Sequence, residues 1–148
     1  MRLEAHLKLL EHRGLIIPWH FRKIGAGEDW EGAIDKNLAA ADIVLLLISA
    51  SFLASRYCYD VEMTRALRRH KAGRARVIPI ILRDVVWKAA PFSTLQALPT
   101  NGKPITAWRP QDKGWADVTK GIKDAVNKWC DLLPAPRIRR HLRVSQQG

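Results

Sequence analysis

One carboxylate in this chain stands where chemistry could be done. Glu62 falls near the start of a helical stretch, Arg56–Ala72, which follows the apolar run Asp42–Ser49. A run apolar throughout is expected of a parallel strand covered on both faces. In open α/β sheets, ligands bind outside the carboxyl ends of such strands. A carboxylate at that edge can stabilise positive charge developing on a sugar. Cys58, Glu62, Arg65 and Arg69 recur at i, i+4, i+7 and i+11, so a regular helix puts them on one face. The two arginines would keep the carboxylate ionised and could attract a pyrophosphate. The plainer account of Glu62 is an exposed i, i+3 pair with Arg65, worth about 0.3–0.5 kcal/mol. From position alone, that plainer account is preferred.

The other candidates each have two accounts as well. Trp30 can stack on a base or another planar ring, or it can be a core tryptophan in the first turn of a helix. Gly25 and Gly27 can let backbone approach a phosphate, although two glycines at this spacing also suit any flexible loop. His20 can bind a ligand or serve as a polar loop residue. The five histidines and two cysteines form no ligand cluster, so no metal is expected.

These residues need a scaffold, and the chain alternates helical and strand patterns. Leu3, Leu7 and Leu10 recur at helical spacing, giving an amphipathic helix over Arg2–Arg13 that stops at Gly14. Leu15–Ile17 reads as a short strand closed by Pro18. Trp19–Gly27 is a loop, and Glu28–Ala40 is a helix with acidic residues in its first turn. Asp42–Ser49 is the clearest strand, and Arg56–Ala72 is a helix ended by Gly73. Arg76–Leu82 is a second buried strand, and Pro79 within it points to an edge. A short helix is expected at Ser93–Ala97 and a final strand at Pro104–Trp108. Trp115–Leu133 is the last helix, with Val118, Ile122, Val126 and Trp129 down one face.

Such alternation implies a parallel sheet with helices on both faces. Residues 1–133 form one domain, and 134–148 reads as a basic, mobile tail or linker remnant carrying Arg137, Arg139, Arg140 and Arg143. The chain opens on a helix, with no strand before it. In doubly wound sheets of order 2-1-3-4-5 the first strand is central. Its absence predicts a slot in the middle of the sheet and a fold less stable than an extended version.

The bulk numbers fit this outline. The chain has 148 residues, enough for one domain, and 47% of them are hydrophobic. No apolar run is long enough to span a bilayer and no signal-peptide pattern opens the chain, so a cytoplasmic protein without a membrane partner is expected. Cys58 and Cys130 show no pairing pattern, which suits a reducing compartment. The net charge of +11 comes from 25 basic and 14 acidic side chains. No aromatic residues interleave with the basic clusters, so surface solvation is favoured over a nucleic-acid partner, with room for a polyanion such as a dinucleotide.

Taken in order, these segments resemble a Toll/interleukin-1 receptor (TIR) domain of the bacterial type. The run His20-Phe21-Arg22-Lys23-Ile24-Gly25-Ala26-Gly27-Glu28-Asp29-Trp30 is similar to the loop after the second TIR strand. Phe21 departs from the family, where an acidic residue often stands. Ala41-Asp42 leads into the third strand, and Ser49–Ser55 resembles the loop after it. Arg56-Tyr57-Cys58-Tyr59-Asp60-Val61-Glu62 is similar to the helix start where TIR enzymes carry an aromatic residue and a glutamate. Tyr57 stands where many members have tryptophan; first-turn packing is its plainer role. Val77–Leu82, Leu98-Pro99 and Lys103-Pro104-Ile105 also fit, so the resemblance runs to about Trp129.

The resemblance implies a flavodoxin-like three-layer parallel sheet lacking its N-terminal strand. It also implies cleavage of NAD+ at the nicotinamide–ribose bond, with Glu62 as the catalytic residue, in a signalling or defence role. Trp30, Gly25, Gly27, Tyr57, Cys58 and Arg65 are then the residues expected to bind the dinucleotide, which is a substrate and not a cofactor. The expected partners are NAD+ and other TIR domains, through self-association. The rival reading is a TIR–TIR interaction module that does no chemistry. A phosphoacceptor receiver domain shares the strand order, but it needs an aspartate where the third strand ends here in Ser49-Ala50.

Overall fold

A computed structural model of the chain describes residues 2–19, 26–27, 29, 36, 38–132 and 140–144. In chain order its main elements are α1 (Arg2–His12), β1 (Ile16–Trp19), β2 (Ile43–Ile48), α2 (Ala50–Ala54) and a π-helical segment (Arg56–Met63). They continue with α3 (Thr64–Lys71), β3 (Arg76–Ile81), α4 (Gln111–Leu132) and β4 (Arg140–Val144). Leu38–Ala40 is helical, but most of the helix expected over Glu28–Ala40 lies outside the described residues.

The four strands form one parallel sheet in the order β1-β4-β2-β3. Alternation in β2 divides the core. Ile43, Leu45 and Leu47 join Ile78 and Ile80 of β3 under α1 and α4, whose Leu3, Leu7, Leu10, Val118, Ile122 and Val126 close that face. Val44, Leu46 and Ile48 join Val77 and Ile81 on the opposite face, with Phe52, Met63 and Ala66. A strand covered on both faces has to be apolar at every position, and β2 is buried at all six. The result is a flavodoxin-like α/β fold with helices on both faces of the sheet.

The central slot is occupied, where the sequence reading leaves it empty. Arg140–Val144, expected to lie in a basic tail, forms β4 between β1 and β2. Ile16–Trp19 pairs with Arg140–Arg143, and Ile43–Leu45 pairs with Leu142–Val144. Leu142 and Val144 are 1% and 2% exposed, within the cluster under α1 and α4. The physical reason is the accounting of backbone groups. Facing edges of β1 and β2 need hydrogen-bond partners, and the chain supplies them from beyond α4. The expected loss of stability from an empty slot therefore loses its premise.

Pro79 is placed as its chemistry requires, because β3 is the edge strand. The missing N–H of a proline is harmless on an outer edge. That edge is covered in pieces: Val77 N–H donates to His70 Nδ1 at 3.0 Å, and Leu98 N–H donates to Pro79 O at 2.8 Å. Ile81 N–H donates to Leu98 O, and Thr106 N–H to Leu82 O. Such covering protects an edge from pairing with another chain.

Several local expectations are corrected. Pro104–Trp108 is not a strand: Ile105–Ala107 is a 3-10 turn, since Pro104 cannot donate to a ladder. The short helix near Ser93 is a 3-10 turn at Pro91–Thr94, with its proline at the first position. Pro18 lies within β1 and does not close it. The helix expected from Arg56 divides into the π-helical segment and α3.

Candidate functional site

All four strands are parallel, so Trp19, Val144, Ile48 and Ile81 end at one edge of the sheet. At that edge the chain leaves β2 and turns at once. Ser49 is extended and caps α2, its Oγ accepting from Phe52 N–H at 3.2 Å. A serine in this position satisfies one of the donors that every helix start leaves over. α2 seals the turn with Phe52, which is fully buried. The π-helical segment begins after Ser55 and carries Glu62 as its penultimate residue. Single π-helical stretches within helices cluster at functional sites.

Glu62 has no exposed surface, so the exposed-pair account of it fails. Its neighbour Met63 is 2% exposed and packs in the core cluster under α3. A carboxylate held there in ionised form has to be compensated, since burial of a charge costs several kcal/mol.

Glu62, Arg65 and Arg69 do not form the shared face expected on a regular helix. A π-helix has a longer turn, which breaks the 3.6-residue spacing between Cys58 and Arg65. Arg65 is exposed, one turn beyond the buried Glu62. Arg69 turns to the opposite edge of the sheet, where its Nη2 donates to Ala41 O at 2.9 Å and to Arg74 O at 3.3 Å. Its guanidinium ties the end of α3 to the segment that enters β2, so it does not serve a pyrophosphate at Glu62.

Of the remaining candidates, three fall within the described residues. Gly27 is exposed in a turn with φ of +84°, a backbone that favours glycine, and among the described residues nothing stands within 4 Å of where a Cβ would be. The backbone of Tyr57 and Cys58 lies in the π-helical segment. Gly25, Trp30 and His20 lie outside the described residues. Two features had no sequence signal: the π-helical segment itself, and His70 in the last turn of α3.

Burial lowers the pKa of His70 from its usual 6.5, and the Arg76 guanidinium lowers it further. The hydrogen bond from Val77 N–H requires Nδ1 to be unprotonated, so the proton sits on Nε2. Because the folded pKa lies below the unfolded one, this contribution to stability is fully present above about pH 6.5. It is lost as pH falls through the folded value. Denaturant melts between pH 7.5 and 5 should show a decline that His70→Gln reduces, since glutamine does not titrate. An identical pH slope in both proteins would refute the assignment.

Three comparisons bear on this arrangement. A family profile for the TIR domain matches residues 2–130. Protein y4lF of Sinorhizobium fredii (strain NBRC 101917 / NGR234) is 49% identical over 138 residues, which is 93% of this chain and 43% of the relative. The chain thus spans less than half the length of that relative. No solved structure matches the chain. Among the described residues, no helix is long and apolar enough to cross a membrane.

Proposed function

Since this chain belongs to the TIR family, we propose that it cleaves NAD+ at the nicotinamide–ribose bond, with Glu62 as the residue that serves the reaction. The observation that carries this reading is a fully buried glutamate on a π-helical segment, in the connection that follows β2. A buried carboxylate is costly, and active sites are where proteins retain such groups.

Heterolysis sends the electron pair of the glycosidic bond to the ring nitrogen of nicotinamide. The ring leaves as a neutral molecule, so no strong general acid is required. The ribose is left with oxocarbenium character. The Glu62 carboxylate holds the ribose hydroxyls and favours that cation electrostatically. Water then adds at the anomeric carbon and releases a proton, giving ADP-ribose. Arg65 and the backbone around Gly25 and Gly27 are assigned to the pyrophosphate. Trp30 is assigned to a planar ring, and Tyr57 and Cys58 to the ribose side of the site. Glu62 is fully buried in the single chain, and self-association of copies is assigned to complete the site around it.

That enclosure also favours a second reading, a TIR–TIR interaction module in which Glu62 is structural. Nicotinamide release by the wild-type chain, at high concentration or on a crowding surface, separates the two. Turnover supports the nucleosidase. Clustering without NAD+ loss supports the interaction module and overturns the first reading.

A further inference from the structure

A cavity of about 300 Å³ opens at the other end of the sheet from Glu62, where β3 begins. Its origin is in the edge pairing. Leu98 covers the outer edge of β3 at Pro79 and Ile81, while beside the first half of the strand His70, Thr94, Leu95, Gln96 and α4 line an open space. Small residues on α4 line it. Gly121 is a glycine because a Cβ there would stand 2.6 Å from the Leu98 side chain, and Ala125 projects little.

The floor is apolar, from Val77, Ile78, Leu95 and Leu98. The polar lining is basic or neutral: His70, Arg76 and Lys128 with Thr94 and Gln96, and no carboxylate. No ion pair engages the Arg76 or Lys128 side chain among the described residues. His70 offers a fixed donor, since its Nδ1 is held by Val77 and its proton is on Nε2. An anion there would accept from the neutral His70 Nε2–H and from the cationic Arg76 and Lys128, and bonds to charged donors are the stronger kind.

We propose that this cavity is a second binding site, one for a small amphipathic anion whose apolar body lies on Ile78 and Leu95 and whose carboxylate meets Arg76 and Lys128. The volume is at the lower end of the range for small-molecule sites and suits a ligand of single-ring size. The site is independent of the NAD+ reading, because it shares no residue with the Glu62 edge.

The test is an NMR titration of the labelled chain with sodium benzoate, benzamide and inorganic phosphate. Benzoate should give saturable shifts at the amides of Val77, Leu98 and Gly121 below roughly 10 mM. Benzamide, which has the ring without the charge, should bind at least about 10-fold more weakly, the loss of one charge-assisted contact. Phosphate, which has the charge without the ring, should do the same. Lys128→Gln lies on the exposed surface of α4 and should weaken benzoate by a similar factor without altering the melt. Ala125→Leu should fill the space and abolish the shifts. Equal binding of benzoate and benzamide would overturn the proposal, as would shifts away from these amides or no saturation. Phosphate binding as tightly as benzoate would overturn the amphipathic class.

Discussion

Truncation after residue 139 should abolish cooperative folding, because it removes the strand at the centre of the sheet. β4 pairs along four residues of β1 and three of β2, and it buries Leu142 and Val144 in the core under α1 and α4. Those two side chains contribute about 3–5 kcal/mol of apolar burial. The facing edges of β1 and β2 would also lose their hydrogen-bond partners. Together these losses approach the whole stability of a small domain, about 5–15 kcal/mol. Leu142→Ala is the measured version of the same claim. It should cost roughly 2–5 kcal/mol, the usual range for a buried leucine. Guanidinium melts followed by circular dichroism would read both effects. A truncated chain with an unchanged midpoint would mean that β4 does not hold the sheet together.

The reason β4 is hard to read in the sequence is specific. Arg140-His141-Leu142-Arg143-Val144 has only two apolar positions, at alternate residues, and it follows two prolines and a run of arginines. Period-2 alternation over so short a span does not stand out from a polar tail. By contrast, β2 and β3 are legible because burial on both faces demands apolar residues throughout. The last helix is legible for a similar reason, since Val118, Ile122 and Val126 repeat at four residues and all meet the sheet. It starts four residues before the expected Trp115, and those residues, Gln111–Gly114, carry no apolar periodicity. Pro104–Trp108 misled in the other direction, since its composition suits a strand but its backbone turns.

The candidate site was legible in part. The position of Glu62 in the connection after the second apolar strand followed from the order of segments, and in the structure it is the penultimate residue of the π-helical segment there. Its burial and the redirection of Arg69 were not legible. Both depend on the π-helical turn between Arg56 and Met63, which shifts the register of everything after it relative to a regular helix. No residue type encodes such a turn by itself. Periodicity assumes 3.6 residues per turn, so a face inferred across it is unreliable.

Glu62→Gln should reduce nicotinamide release by on the order of 100-fold or more, the scale of losing a preorganised electrostatic stabiliser. The substitution keeps the length and shape of the side chain and removes only the charge. That choice matters at a position with no exposed surface, where Glu62→Ala would also open a cavity. The variant must therefore be compared at equal folded fraction, checked by its melting midpoint. A neutral amide can still hold a ribose hydroxyl, so NAD+ affinity should change less than the turnover rate. An effect on turnover with little effect on KM is the pattern expected when an interaction is made chiefly in the transition state. A purely structural glutamate would give a different result, a lowered midpoint with activity per folded molecule preserved. An active wild type whose Glu62→Gln variant keeps most of its rate would remove Glu62 from the chemistry.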